Sequence, residues 1–263
     1  MNSVLLAPAS CRLVRLFAAA IIGGLALATN AAPPDTIDRV KPSVVAVGTF
    51  QPDRRPQFEF RGSGFAIGDG TLIATNAHVA AKVLDGERFE TYAIAIPQDG
   101  RAAVREVRKI AVDLEHDLAI LKLTDGRPLP ALSLSETAAA RNGEFFLFTG
   151  FPIGSVLGLT PVTHRAMLSA ITPIALPRPD TAQLDPATVK RLASDVFGIY
   201  QLDATAYPGN SGSPLYNETT GEVVGIVNMV FVKGTKENVL SQPSGISYAI
   251  PANYLVNLLR TIK

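Results

Sequence analysis

Tyr207-Pro208-Gly209-Asn210-Ser211-Gly212-Ser213-Pro214 sets a serine between two glycines, with a proline towards each end. Closely spaced glycines let a backbone turn sharply and approach a ligand with no side chain in the way. Proline fixes the chain on either side. A serine held on such a turn suits a nucleophile, because neighbouring N–H groups can converge on one oxygen. The same composition also makes ordinary surface turns, so the chemistry depends on a base and an orienting acid elsewhere. A serine hydroxyl becomes an effective nucleophile when an imidazole takes its proton, and that imidazole needs an ionised acid at its other nitrogen. The chain has three histidines, His78, His116 and His164. His78 follows the strand-like run Thr71 to Thr75 and opens a small-residue turn, an edge location suited to a site. His116, between Glu115 and Asp117, and His164, beside Arg165, read as solvated surface residues. Asp117 leads the apolar run Leu118 to Leu123 and so stands at a core edge, while Asp113 and Asp203 are rivals by composition. Three scattered histidines and one cysteine, Cys11, offer no metal-ligand spacing. No metal or cofactor is expected.

These groups need a rigid frame, and the chain reads as β-rich around all of them. Ser43 to Gly48, Arg61 to Ile67, Thr71 to Thr75, Thr91 to Ile96, Ala103 to Val112 and Asp117 to Leu123 are strand-like, with turn signals at Asp69-Gly70 and Asp99-Gly100. Asp38 onward allows a helical turn that Pro42 breaks, and Gln51 to Arg61 is a polar, exposed loop. Asp125 to Pro130 marks a boundary between two halves. In the second half Glu144 to Thr149, Tyr200 to Ala204, Val223 to Val232 and Gly245 to Ile250 are strands, and Val162 to Ile174 is one strand or two. Asp185-Pro186, followed by Val189, Leu192 and Val196, predicts a helical insertion within residues 172–198. Pro251 to Ile262 places Leu255, Leu258 and Leu259 on one side and predicts a closing helix. About a dozen short strands with 21 glycines and 19 prolines imply an all-β chain folded as two barrels.

The first 31 residues differ from the rest. Arg12 and Arg15 precede the apolar run Leu16 to Ala28, and small residues follow. That pattern predicts a secretory signal peptide over 1–31, cut after Ala28 or Ala31. The run is shorter than the roughly 20 residues a membrane span needs. Cys11 lies within it, so the mature chain is expected to hold no disulfide. Arg12 and Arg15 are its only charged residues, which leaves 22 of the 24 basic side chains against all 23 acidic ones. A nucleic-acid partner would call for a basic excess and is not expected. Nor is stable membrane insertion after cleavage; the expected location is periplasmic or secreted.

Thr75-Asn76-Ala77-His78-Val79, His116-Asp117-Leu118-Ala119-Ile120-Leu121 and Gly209-Asn210-Ser211-Gly212-Ser213-Pro214 occur in the order His, Asp, Ser, with gaps of 39 and 94 residues. They resemble the three catalytic motifs of trypsin-like serine proteases, and most closely those of the HtrA family. Arg61-Gly62-Ser63-Gly64-Phe65, Gly150-Phe151-Pro152-Ile153-Gly154 and Ser247-Tyr248-Ala249-Ile250-Pro251 resemble further segments of that family. The likeness runs from about Val40 to Lys263. It implies two six-stranded antiparallel β-barrels packed together, about 40–126 and 130–263, forming a protease domain over 32–263. It implies His78 as base, Asp117 as its orienting acid and Ser211 as nucleophile. Gly209, Asn210 and Ser211 would supply the oxyanion-hole N–H groups. Gly245, Ile246, Ser247 and Tyr248 would pair with substrate, and Ala206, Tyr207 and Ile246 would line an apolar specificity pocket. The implied partner is a polypeptide substrate, unfolded or damaged, and family members often form trimers. The alternative is a catalytically weak peptide-binding protein on the same fold. Three departures stand out. Ser213 replaces the family's usual glycine and would be strained at a position needing φ > 0. No PDZ segment follows the protease region in this sequence, and residues 172–198 are longer than the corresponding loop. The expected mature start, Ala-Pro-Pro-Asp, lacks the end that digestive proteases bury on activation, so switching would act by loop ordering.

Overall fold

The run Val44-Val45-Ala46-Val47 opens the first strand and shows how one strand serves two cores. Val45 and Val47 point into the first barrel, while Val44 and Ala46 join the cluster shared with the second. The strand Leu118–Leu123 repeats this, with Ala119 and Leu121 inward and Leu118 and Ile120 in the shared cluster. Successive side chains of a strand face opposite ways, so continuous apolar runs mark strands buried on both sides. The structure is a computed structural model that describes residues 33–98, 101–137, 140–154, 158–174, 197–228 and 245–262.

Six strands form the first barrel: β1 (Val44–Phe50), β2 (Phe58–Ile67), β3 (Leu72–Asn76), β4 (Thr91–Gln98), β5 (Arg101–Asp113) and β6 (Leu118–Leu123). They close in the order β1-β2-β3-β6-β5-β4, antiparallel throughout. The second comprises β7 (Phe145–Gly150), β8 (Val162–Ile174), β9 (Phe197–Asp203), β10 (Pro214–Asn217), β11 (Val223–Asn228) and β12 (Ile246–Pro251). It closes as β10-β11-β12-β9-β8-β7. Phe148, Leu168, Leu202 and Val227 fill its interior. Phe65, Phe151, Tyr216 and Ile226 meet Leu255 in the core between the barrels.

Helices frame the pair. α1 (Pro33–Val40) begins with proline at its first position, where a missing N–H costs nothing. It is longer than the turn expected near Asp38, and it buries Thr36 and Val40 against barrel 2. Thr36 Oγ1 donates to Thr219 O at 3.0 Å, and Arg39 donates to Thr220 O at 2.9 Å. α2 (Ala252–Arg260) is the expected closing helix and buries Leu255 and Leu258. Val162–Ile174 is a single strand with an irregularity between Leu168 and Ala170.

The polar stretch after β1 is exposed at Pro52, Asp53 and Arg55 to Gln57, as expected, but it is anchored through Arg54, and Phe58 already begins β2. Arg54 reaches Glu59 at 2.9 Å and Glu90 at 2.8 Å, and Lys82 bridges the same two carboxylates at 2.9 and 2.7 Å. Glu90 is buried and also accepts from Thr49 Oγ1 at 2.7 Å. Arg54 and Glu59 thus fasten the stretch to the barrel, while Asp53 and Arg55 stay exposed. The expected signal peptide, the helix within 172–198, the Asp99-Gly100 turn and the 229–232 end of the Val223 run lie outside the described residues.

Candidate active site

His78 sits in the turn after β3, and Asp117 in the turn before β6. Asn76 pairs with Leu118, so both turns leave the same end of barrel 1. The Asp117 carbonyl accepts from Ala77 N–H at 3.0 Å and from Asn76 Nδ2 at 3.1 Å. The two turns are thereby fastened together. The Asp117 carboxylate then receives the His78 backbone N–H at Oδ1, 2.8 Å, and the imidazole Nδ1 at Oδ2, 2.6 Å. Asn228 Nδ2, at the end of β11 in barrel 2, donates to the same Oδ2 at 2.7 Å. A carboxylate only accepts, so Nδ1 carries a proton and Nε2 is the nitrogen left to act as base. The acid is shielded and the base is more open, with side-chain exposures of 13% and 34%. Asp117 has φ +52°, a left-handed conformation that a residue with a side chain keeps only where its surroundings hold it.

In the serine turn, Pro208 and Gly209 are the central residues, closed by Asn210 N–H to Tyr207 O at 3.0 Å. Gly209 has φ +102°. Proline first and a left-handed glycine second is the type II arrangement. Every carbonyl from Tyr207 to Ser211 is engaged. Pro208 O accepts from Ile153 N–H at 2.7 Å, Gly209 O from Ser63 Oγ at 2.7 Å, Asn210 O from Ser213 N–H at 3.0 Å, and Ser211 O from Ser63 N–H at 2.8 Å. A planar trans peptide points its N–H opposite to its C=O. The N–H groups of Gly209 and Ser211 therefore face away from the partners that hold Pro208 O and Asn210 O. Asn210 differs from the expectation for an oxyanion donor, because its N–H is consumed inside the turn by Tyr207 O.

Two close approaches bring the serine and histidine segments together. A Cβ on Gly62 would lie 2.7 Å from Val79 Cγ2 and 3.0 Å from Ser211 O, so β2 runs between the two turns with room for hydrogen alone. Gly212 has φ +88°, and a Cβ there would strike the Ser63 carbonyl and approach Thr75 Oγ1 to 2.5 Å. Thr75 Oγ1 itself donates to Ser63 O at 2.7 Å. Ser213 is buried but is not left-handed, so the strain expected of it does not arise. Its Oγ lies where a side chain at Gly150 would stand, and the glycine makes room for it.

Around the expected pocket, Ala206 is buried and Ile246 is 45% exposed. β12 follows β9 with Ile246 opposite Asp203, Ser247 opposite Leu202 and Tyr248 opposite Gln201. Ser247 Oγ accepts from Ala206 N–H at 2.9 Å and donates to Ala204 O at 2.6 Å, tying this strand to the approach of the serine turn. Tyr207 is half-buried, and Gly245 directly precedes the strand.

The other two histidines are not the solvated residues their neighbours implied. His116 is packed against aromatic rings and bonded to Asp113. His164 lies on β8, stacked on Phe148 at 4.8 Å, and burial pushes its pKa below the usual histidine value. The rival acids go elsewhere: Asp113 to His116, and Asp203 to an exposed position on β9. Ser63 and Asn228 are parts of the site that the sequence does not mark. Ser63 lies in the Arg61–Phe65 motif, and Asn228 is the polar end of an apolar strand; neither signal specifies a contact more than 100 residues away.

Residues 62–226 match the trypsin-like peptidase domain. Serine protease HTRA3 of Rattus norvegicus is 31% identical over 230 residues, covering 86% of this chain and 43% of that protein. A probable periplasmic serine endoprotease, DegP-like, of Pseudomonas putida is 28% identical over 212 residues, covering 80% of this chain and 36% of that protein. The HtrA-type protease AlgW, solved with a tripeptide, has a TM-score of 0.61 and 26% identity, covering 88% of this chain and 64% of that one. The chain thus spans less than half the length of the curated relatives it matches. With a domain match over more than half its length and two closed six-stranded barrels that bring the matching His, Asp and Ser segments to one place, the chain belongs to the trypsin-like peptidase family, in its HtrA group.

Proposed function

We propose that the protein is an exported serine endopeptidase that cleaves unfolded or damaged polypeptides. The observation that carries this reading is the bonding pattern of the site: an acid-held His78 beside a serine turn whose carbonyls are all tied back. His78 Nε2 takes the Ser211 Oγ proton as Oγ attacks the substrate carbonyl carbon. The carbonyl oxygen becomes an oxyanion and accepts from the N–H groups of Gly209 and Ser211; one such donor is worth about 10²–10³ in rate. His78 then returns the proton to the leaving amine. Water, activated by the same imidazole, hydrolyses the acyl-enzyme. Asp117 stays ionised and stabilises the imidazolium. Gly245 to Ser247 add the substrate as an antiparallel strand, which binds backbone with little sequence demand, while Tyr248 is already paired with both Gln201 and Asn228. Ala206, Tyr207 and Ile246 present no acid, so the pocket favours an apolar side chain over Arg or Lys. Residues 1–31 are removed on export to the periplasm or beyond.

The test is casein hydrolysis and fluorophosphonate labelling by the purified chain, with Ser211→Ala and His78→Ala in parallel. Hydrolysis and labelling that vanish in both variants are the expected result. A folded parent chain that neither hydrolyses casein nor labels would overturn the enzyme reading and leave the peptide-binding one. N-terminal sequencing of the exported product reads the cleavage site directly.

A further inference from the structure

The mechanism leaves His116 and His164 without a role, and of the two only His116 adjoins the proposed triad. His116 immediately precedes Asp117 and is held on three sides. Its backbone N–H and its Nδ1 both engage Asp113, at 3.0 and 2.7 Å. Tyr254 of α2 stacks on the ring at 4.0 Å between centroids and 21° between planes. Phe197 of β9 meets it edge-on at 4.7 Å and contacts Tyr254 in turn at 5.4 Å. The His116 side chain is 15% exposed. The turn that carries Asp117 belongs to barrel 1, but this ring docks it on barrel 2 and on the last helix.

Asp117 gains from such support because its φ of +52° lies in a sparsely populated region, even though Asp tolerates it better than most side chains. Its carbonyl is held from the His78 side by Ala77 N–H and Asn76 Nδ2. Its amino side is held through His116. With the ring clamped by Asp113, Tyr254 and Phe197, the peptide that leads into the acid cannot shift without pulling the ring from these contacts, and the bonds to His78 tolerate little displacement.

We infer that His116 is a positioning residue for Asp117: clamped between Asp113 and the Tyr254–Phe197 pair, it holds the acid in its left-handed conformation and makes its aim depend on how α2 and barrel 2 pack against barrel 1. This rests on the proposed catalytic roles of His78, Asp117 and Ser211. A histidine that merely fills a gap would affect stability alone, so the test reads orientation.

Two quantities are measured on the full chain carrying His116→Ala, His116→Phe, Tyr254→Leu and the His116→Ala/Tyr254→Leu pair. The first is the far-downfield proton resonance of the 2.6 Å His78–Asp117 hydrogen bond, which needs no turnover. The second is kcat and KM on a peptide substrate. His116→Ala is expected to broaden or shift the resonance and to lower kcat about 10- to 100-fold, the cost of misplacing one charge-assisted hydrogen bond, with KM within about twofold. His116→Phe keeps the stack and recovers most of kcat. The double variant falls no further than the worse single one, as coupled neighbours do. A melting temperature that falls in His116→Ala while the resonance and kcat keep their parent values would overturn the inference, and so would additive losses in the double variant. If His116→Ala does not fold, His116→Phe and Tyr254→Leu give the same readings: kcat lost in Tyr254→Leu and largely kept in His116→Phe supports the clamp, and the reverse overturns it. A parent chain without Ser211-dependent turnover would sink the enzyme reading instead, and the resonance would still decide the clamp.

Discussion

A methyl group on Gly212 would meet the Ser63 carbonyl at a φ of +88°. Both steric collision and backbone strain oppose it, so Gly212→Ala is expected to cost a few kcal/mol and to abolish fluorophosphonate labelling. Thermal denaturation and labelling read the two effects separately. Ser213 carries the opposite expectation. Because it is not left-handed, Ser213→Gly relieves no backbone strain and leaves a small void against Gly150. Labelling within a few-fold of the parent, with about 1 kcal/mol less stability, is the expected outcome; a large gain in rate would show the serine to be a brake. Asn228 acts on the acid rather than the fold. Removing its 2.7 Å bond to Asp117 Oδ2 by Asn228→Ala should lower kcat about 10- to 100-fold at unchanged KM.

Among elements, the loop between β1 and β2 depends on Glu90. Burial pushes the Glu90 carboxyl pKa up, but hydrogen bonds from Lys82, Thr49, Asp85 N–H and Arg54 outweigh it and bring the value down to about 2 from an ordinary 4.5. A depressed carboxylate stabilises the fold above its unfolded pKa and loses that contribution as pH falls through the folded one. The contribution is therefore complete above about 4.5 and gone near 2. Glu90→Gln should lower the melting temperature at pH 7 and flatten the acid limb of the stability curve; an unchanged limb would show the network to be marginal. His164 on β8 has the reverse chemistry. Burial lowers its pKa from 6.5, so below about 6.5 the unfolded chain binds a proton the folded one resists. Stability falls with pH from there, and His164→Phe should remove that part of the slope. Neither dependence could be read from the sequence: Glu90 stands between Phe89 and Thr91 and His164 between Thr163 and Arg165, and their burial comes from strands and loops that pack on them from elsewhere in the chain.

For the whole molecule, α1 joins what the strand order divides. It runs directly into β1 of barrel 1 while its Thr36 and Arg39 bond the 217–222 turn of barrel 2. Deleting residues 33–40 should speed amide exchange in that turn and lower the melting temperature, with the barrel 1 strands β4 and β5 least affected; uniform protection would show α1 to be dispensable. Much of the architecture was legible in advance because it is written locally. Turn residues and short apolar runs marked the strands, Pro251 to Ile262 marked α2, and the order His78, Asp117, Ser211 marked the family. These signals lie between near neighbours in the chain. What tertiary structure alone decided was pairing at a distance. Asp117 meets His78 while Asp113 meets His116, although the two acids are four residues apart. Ser63 holds Gly209 across 146 residues, and Asn228 reaches Asp117 across 111. Barrel closure brings these groups together, and no periodicity within a strand encodes which side chains will meet once two barrels pack.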